Sequence, residues 1–299
     1  MKVMLIGAGA VGCSVMNRLM KVSDFTLIVD EGRKERYKDG IFYNGERLDV
    51  EMKTPSEADE KADLIIYATK NFHLDDAIEE SRPFVGDNTV LLSLLNGIEA
   101  EIKLSEAFGE EKVLYGFITS LSSNHSGVET NCFSEGIVIF GEKDNSLSDR
   151  VQRIANLFER AGHRYNIPED IKHEKWWKFM LNTCYNTLTG ILIADYAAIF
   201  GNQNFVRCVR MVAKEVQEVA AAEGVKLTFD DVESMIGVVS KLTDHGQTSM
   251  LQDVIAKRET ENKYFAGSVS KLGKQHGIAT PYCDFIYLLL EAKRHAFNS

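Results

Sequence analysis

Several features that would point to common functions are missing from this chain. Its five cysteines, Cys13, Cys132, Cys184, Cys208 and Cys283, are scattered with no C-x-x-C spacing. That pattern suggests neither a zinc site nor a disulfide framework, and it fits a reducing, cytoplasmic compartment. No cluster of His, Asp and Glu suggests a metal. Acidic residues outnumber basic ones, 44 to 34, and no sustained basic stripe interrupts the formal charge of -10. A nucleic-acid partner is therefore not expected. The opening apolar stretch is too short for a membrane span and breaks into glycines with no small-residue cleavage site after it. It reads as a strand, not as a signal peptide. Internal repeats and low-complexity tracts are absent as well.

What is present is a chain of 299 residues, 44% apolar and 26% charged, long enough for two domains with a core each. Its first residues are the most informative. Met1-Lys2-Val3-Met4-Leu5-Ile6 runs directly into Gly7-Ala8-Gly9-Ala10-Val11-Gly12, and an amphipathic segment follows. Strand, G-x-G-x-x-G turn and helix in that order form the first half of a dinucleotide-binding βαβ unit. Gly7 permits the tight turn, Gly9 lets a pyrophosphate approach the backbone, and Gly12 lets helix and strand pack closely. The phosphates would sit on the positive end of the helix. A second apolar run, Phe25–Val29, ends in Asp30, about 20 residues beyond the glycines, where a carboxylate can hold ribose hydroxyls.

Short apolar runs at 3–6, 26–29, 64–68, 89–93, 113–117 and 137–140 alternate with helical patterns at 11–21, 73–82 and 102–108. Such alternation predicts a doubly wound, largely parallel Rossmann-type sheet. Residues 122–127, Gly136 and Gly141 read as turns in an antiparallel extension, and 148–161 as a helix capped by Ser148 or Asp149 and closed by Gly162. After residue 167 no convincing strand remains. Helices are expected over 170–193, 203–223, 228–242, 248–275 and from Pro281 to about Arg294. The domains expected are thus 1–167, dinucleotide-binding, and 168–299, all-helical and carrying the substrate.

Ligands of such sheets lie beyond the carboxyl ends of the strands. Lys70 and Asn96 follow two of these strands and would overhang the glycine turn, although Asn96-Gly97 is also a routine turn dipeptide. In the helical half, Lys178, Asn182 and Asn186 recur every four residues, one polar stripe on a helix otherwise showing Trp176, Trp177, Phe179, Met180 and Leu181. Buried, such a stripe needs partners, and a carbonyl substrate is a suitable one; on spacing alone it is equally a solvated face. A second cluster runs from Ser249 through Gln252, Asp253, Lys257 and Arg258 to Glu261. Ser249 is placed to cap a helix, and Glu261, twelve residues on, would share its face. By itself this cluster reads as a charged helix surface.

At these clusters the chain resembles ketopantoate reductase (2-dehydropantoate 2-reductase). The matching stretches are Gly7–Gly12, Ala68-Thr69-Lys70, Leu95-Asn96-Gly97, Lys175–Asn182 with Asn186, Ser249–Asp253 through Glu261, and Gly277–Pro281. They cover nearly the whole chain in order. The resemblance implies NADPH-dependent reduction of 2-dehydropantoate to (R)-pantoate, on the route to pantothenate and coenzyme A. It implies that Lys178 is the catalytic proton donor and that Glu261 lies beside nicotinamide and substrate. Asn182, Asn186 and Ser249 match substrate-binding residues, and Lys70 and Asn96 match residues at the cofactor and the active-site cleft. The cofactor set implied is Gly7, Ala8, Gly9, Ala10, Val11, Gly12, Lys70, Asn96 and Glu261, to which the place after the second strand adds Asp30. The residue types suit the reaction, because hydride reaching a ketone carbon leaves negative charge on oxygen, which a cation with a transferable proton stabilises.

The chain departs from the family pattern at two positions. Asp30 stands where an arginine commonly meets the 2′-phosphate of NADPH; a carboxylate there hydrogen-bonds a free 2′-hydroxyl and repels a phosphate, which favours NADH, with Arg33 and Arg36 nearby. Asp195 stands where a further substrate-contacting asparagine is often found. The alternatives are a reductase of another branched 2-keto acid, similar to β-hydroxyacid dehydrogenases, and a dinucleotide sensor without turnover. The apolar helices of the second half suit a homodimer.

Overall fold

The computed structural model describes residues 1–298, with side chains described through residue 296. They fall into two compact units, Met1–Ile171 and a second beginning at Lys172. In the first, the chain runs through β1 (Lys2–Ile6), α1 (Ala10–Leu19), β2 (Asp24–Ile28), α2 (Glu31–Arg36), β3 (Ile41–Tyr43), β4 (Glu46–Leu48) and β5 (Glu51–Lys53). It continues through β6 (Leu64–Tyr67), α3 (Leu74–Ser81), β7 (Val90–Ser93), α4 (Ala100–Phe108), β8 (Val113–Ser126), β9 (Glu129–Gly141), α5 (Asp149–Ala161) and β10 (Tyr165–Asn166).

One sheet joins these strands in the order β4-β3-β9-β8-β7-β6-β1-β2-β5, with β10 beside β9. From β5 to the start of β8 all pairings are parallel. The reason is visible in β1, whose alternate side chains feed two cores. Val3 and Leu5 join Cys13, Met16 and Leu19 of α1 and Val151, Ile154 and Phe158 of α5. Met4 and Ile6 join Leu74, Ala77 and Ile78 of α3 and Leu104 of α4. With both faces covered by helices, the central strands β1, β6 and β7 read as near-continuous apolar runs and not as alternating ones.

The far edge differs from expectation. The turn expected over 122–127 shrinks to Gly127 and Val128, because β8 runs on to Ser126 and pairs antiparallel with β9. Gly136 is not a turn either; it lies inside β9 at φ +81, where a Cβ would sit 2.8 Å from the Thr119 carbonyl oxygen. Residues from Thr119 to Ser126 alternate between half-buried and exposed. A half-solvated ribbon of this kind carries little apolar signal. The three-residue strands β3, β4 and β5 are also additions to the sequence reading.

The second unit is helical: α6 (Ile171–Leu181), a π turn (Asn182–Asn186), α7 (Thr187–Leu192), α8 (Tyr196–Ile199), α9 (Gln203–Ala222), α10 (Phe229–Val239), α11 (Ser249–Ile255), α12 (Ala266–His276) and α13 (Pro281–Asn298). The expected single helix over 248–275 is broken. Lys257 adopts φ +53, and the amides of Lys257 and Arg258 bond the carbonyls of Val254 and Asp253 at 3.1 and 2.8 Å. These two bonds form a Schellman closure with lysine in the left-handed position that glycine usually takes. A separate turn, Glu261–Tyr264, follows before α12. No described helix is long and apolar enough to cross a membrane.

Candidate active site

The glycine turn is held by close backbone approach. Gly7 has φ +99, and a Cβ there would lie 2.7 Å from the carbonyl of Ala68 and 2.8 Å from the amide nitrogen of Thr69. A Cβ on Gly12 would meet the Gly7 carbonyl oxygen at 1.8 Å. Gly9 is the opposite case, with nothing within 4 Å of where its Cβ would be. No side chain caps α1, and no carboxylate lies in its first turn. Open space over an uncapped helix N-terminus fits the pyrophosphate of a dinucleotide. The Thr69 hydroxyl, immediately beyond β6, is buried with no hydrogen-bond partner among the described residues. A buried orphan oxygen at this place is a second feature suited to a polar ligand. In the sequence Thr69 stands out only as the neighbour of Lys70.

Lys70 and Asn96 are half-buried. The loops that carry them are tied together, since Asn71 Nδ2 donates to the Asn96 carbonyl at 2.9 Å. Asp30 caps α2: its Oδ1 accepts the Arg33 amide at 2.6 Å, and its Oδ2 lies 2.9 Å from Arg33 Nη1. The same Nη1 is 3.1 Å from Oε1 of Glu80 on α3. Arg33 is therefore clasped between two carboxylates, while Arg36 is exposed.

In the helical unit the expected stripe is real. Asn182 and Asn186 are buried, Lys178 one turn earlier is half-buried, and the π turn falls on 182–186. Such a turn inserts an extra residue into the helix and re-aims the side chains around it. Asn186 Nδ2 donates to Ser249 Oγ at 3.3 Å and lies 3.5 Å from Asn182 Oδ1. Ser249 is available for this bond because its neighbour Thr248 is the helix cap, accepting the Leu251 amide at 3.2 Å. A second link, Thr189 Oγ1 to Thr248 Oγ1 at 2.8 Å, holds α11 against α7. Gly190 lets α11 come close, since a Cβ there would already be 3.3 Å from Met250 Cγ. Asn182, Asn186 and Ser249 thus form one chain, ending at the exposed Ser249.

Burial pushes the Lys178 ammonium down from its ordinary 10.5 to about 8, since desolvation disfavours the charged form. Glu261 is buried on its own turn and not on the helix of Ser249, as the closure at Lys257 requires. Asp253 is buried and paired with Arg258 at 2.9 Å, a structural bond. Asp195 is committed to its own loop: it caps α8 by accepting the Ala198 amide and pairs with His245 Nδ1, both at 2.8 Å.

Residues 3–145 match the family Ketopantoate reductase PanE/ApbA, and residues 170–294 match its C-terminal domain. The chain belongs to the ketopantoate reductase family. Family membership makes it an oxidoreductase that uses a nicotinamide dinucleotide. A 2-dehydropantoate 2-reductase of Streptococcus pyogenes serotype M6 is 26% identical over 307 residues, spanning 100% of this chain and 99% of its own length. The enzyme of that name from Pyrococcus horikoshii is 29% identical over 297 residues, spanning 98% and 97%. Among solved structures, D-mandelate dehydrogenase with NADH and anilino(oxo)acetate is similar at a TM-score of 0.90 and 26% identity, covering 100% of both chains. The 2-dehydropantoate 2-reductase from Geobacter metallireducens is similar at 0.86 and 25%, covering 98% and 99%. Ketopantoate reductases and a mandelate dehydrogenase therefore share this fold over their full lengths.

Proposed function

We propose that the chain reduces 2-dehydropantoate to (R)-pantoate with NADH. The observation that supports this most is the stripe in the helical unit: a lysine of lowered pKa, then two buried amides linked to a serine hydroxyl. A bound nicotinamide supplies the hydride. Lys178 supplies the proton to the ketone oxygen, and an ammonium near pH 8 is well matched to that task. Asn182, Asn186 and Ser249 orient the carboxylate and hydroxyl groups of the substrate. The family resemblance assigns Glu261, Asn96 and Lys70 to the binding of cofactor and substrate. The N-terminal unit accordingly binds the dinucleotide through Gly7–Gly12 and Asp30.

NADH in place of NADPH is supported by Asp30 and by the engagement of Arg33 with carboxylates. The same feature favours a second reading, reduction of a different 2-keto acid, because NADH is the cofactor in the similar D-mandelate dehydrogenase complex. A homodimer is supported by the exposed apolar residues Tyr282, Phe285, Leu288 and Leu289 on α13. One assay separates the readings: purified protein with NADH and NADPH in parallel, against 2-dehydropantoate and a panel of branched and aromatic 2-keto acids. The highest kcat/KM for 2-dehydropantoate sustains the first reading, and a higher value for another acid replaces it with the second. Tight dinucleotide binding without oxidation by any acid would leave a sensor.

A further inference from the structure

A carboxylate after the second strand is a familiar reason for preferring NADH. Glu80 adds something that reason does not contain. It lies near the end of α3, 47 positions from Arg33, and its side chain is 16% exposed against 44% for Asp30. Arg33 Nη1 lies 2.9 Å from Asp30 Oδ2, 3.1 Å from Glu80 Oε1 and 3.4 Å from Glu80 Oε2. One guanidinium therefore serves two carboxylates, and the group carries net negative charge. Asp76, one turn earlier on α3, adds to the negative field at Glu80.

The two cofactors make different demands on such a group. A ribose 2′-hydroxyl donates to the Asp30 carboxylate and asks nothing of Arg33. A 2′-phosphate is a double anion that needs a cation, and arginine is the residue best shaped for it. To supply that cation Arg33 would have to leave both carboxylates, exposing two like charges to the incoming phosphate. We infer that Glu80 is a cofactor-specificity residue, which withholds Arg33 from a 2′-phosphate and so discriminates against NADPH. This rests on the NADH reading above. It makes Arg33, the cation closest to Asp30, a latent phosphate ligand.

The experiment measures dissociation constants of NADH and NADPH by nicotinamide fluorescence, without turnover, for wild type, Glu80→Gln, Arg33→Ala and the double variant. Glu80→Gln should move the ratio of the two constants about tenfold toward NADPH, the scale of one charge-assisted bond released. The shift should vanish in the Arg33→Ala background. Glu79→Gln, which removes the same charge from a neighbouring exposed carboxylate paired with Arg82, should leave the ratio unmoved. An unmoved ratio in Glu80→Gln, an equal shift without Arg33, or an equal shift in Glu79→Gln would each overturn the role of Glu80 while leaving the NADH reading intact. Tighter binding of NADPH than NADH by the wild-type protein would overturn both.

Discussion

The amide of Asn186 donates to the hydroxyl of Ser249 across 3.3 Å, although 63 positions separate them in the chain. This bond joins the π turn to the first residue of α11. One turn on, the Thr189–Thr248 bond ties α7 to the cap of the same helix. Ser249→Ala removes the hydroxyl without disturbing the cap, which Thr248 provides. The KM for the keto acid should rise about tenfold, the worth of one hydrogen bond to a charged group. The dissociation constant of the dinucleotide should stay near wild type, and an equal loss in both would assign Ser249 a structural role.

Lys178→Ala should lower kcat by about 10²–10⁴, the usual contribution of a general acid, with little change in cofactor affinity. The pH dependence follows from the value of about 8. Reduction needs the protonated ammonium, so the rate is level below that pH and falls as pH rises through it. Stability runs in the opposite sense. Between about 8 and 10.5 the unfolded chain holds a proton that the folded one has released, so stability increases with pH across that window. Lys178→Met should abolish that slope in denaturant titrations, and retained turnover in Lys178→Ala would remove the lysine from the donor role.

Asp30→Arg replaces the carboxylate proposed to meet the ribose by a cation suited to phosphate and leaves Arg33 with Glu80 alone. Preference should shift toward NADPH, read as the ratio of kcat/KM for the two cofactors. Some stability should be lost with the cap on α2, about 1 kcal/mol. An unchanged ratio would show that Asp30 does not meet the ribose.

Gly12→Ala places a methyl 1.8 Å from a backbone oxygen that cannot move aside. Destabilisation of about 3 kcal/mol or more is expected, with loss of dinucleotide binding. Gly9→Ala meets nothing within 4 Å, so it should fold normally and lose affinity only where the pyrophosphate needs the space. Thermal melts with and without NADH distinguish the two effects.

Glu215 is buried on α9 and accepts the amides of Tyr282 and Cys283, both at 2.8 Å, at the start of α13. Those amides are among the donors a helix start leaves unpaired, and the carboxylate also meets the positive end of the dipole. Glu215→Ala should cost about 2–3 kcal/mol in chemical denaturation, the penalty for stranding buried donors. Catalytic constants measured well below the melting temperature should barely change.

The parts of this molecule readable from the sequence are those whose physics is local. The glycine turn, its flanking strand and helix, the apolar strands of the sheet and the stop signals of α5 all follow from residue type and period. Ser148 is the cap of α5, and Gly162 closes it at φ +64. The polar stripe from Lys178 to Asn186 is equally a matter of spacing along one helix. Other features depend on contacts that no window of sequence contains. The left-handed Lys257 breaks the expected helix at a residue with no glycine to announce it, which removes Glu261 from the face of Ser249. The β8–β9 ribbon gets its length from pairing with a partner strand, not from its own apolar pattern. Asp30 shows the division most clearly. Its place after β2 was evident in the sequence. That its neighbour Arg33 is held by Glu80, from a helix 47 positions away, was decided only by the tertiary structure that brings Glu80 within reach of it, because electrostatics acts through distance in space and not along the chain.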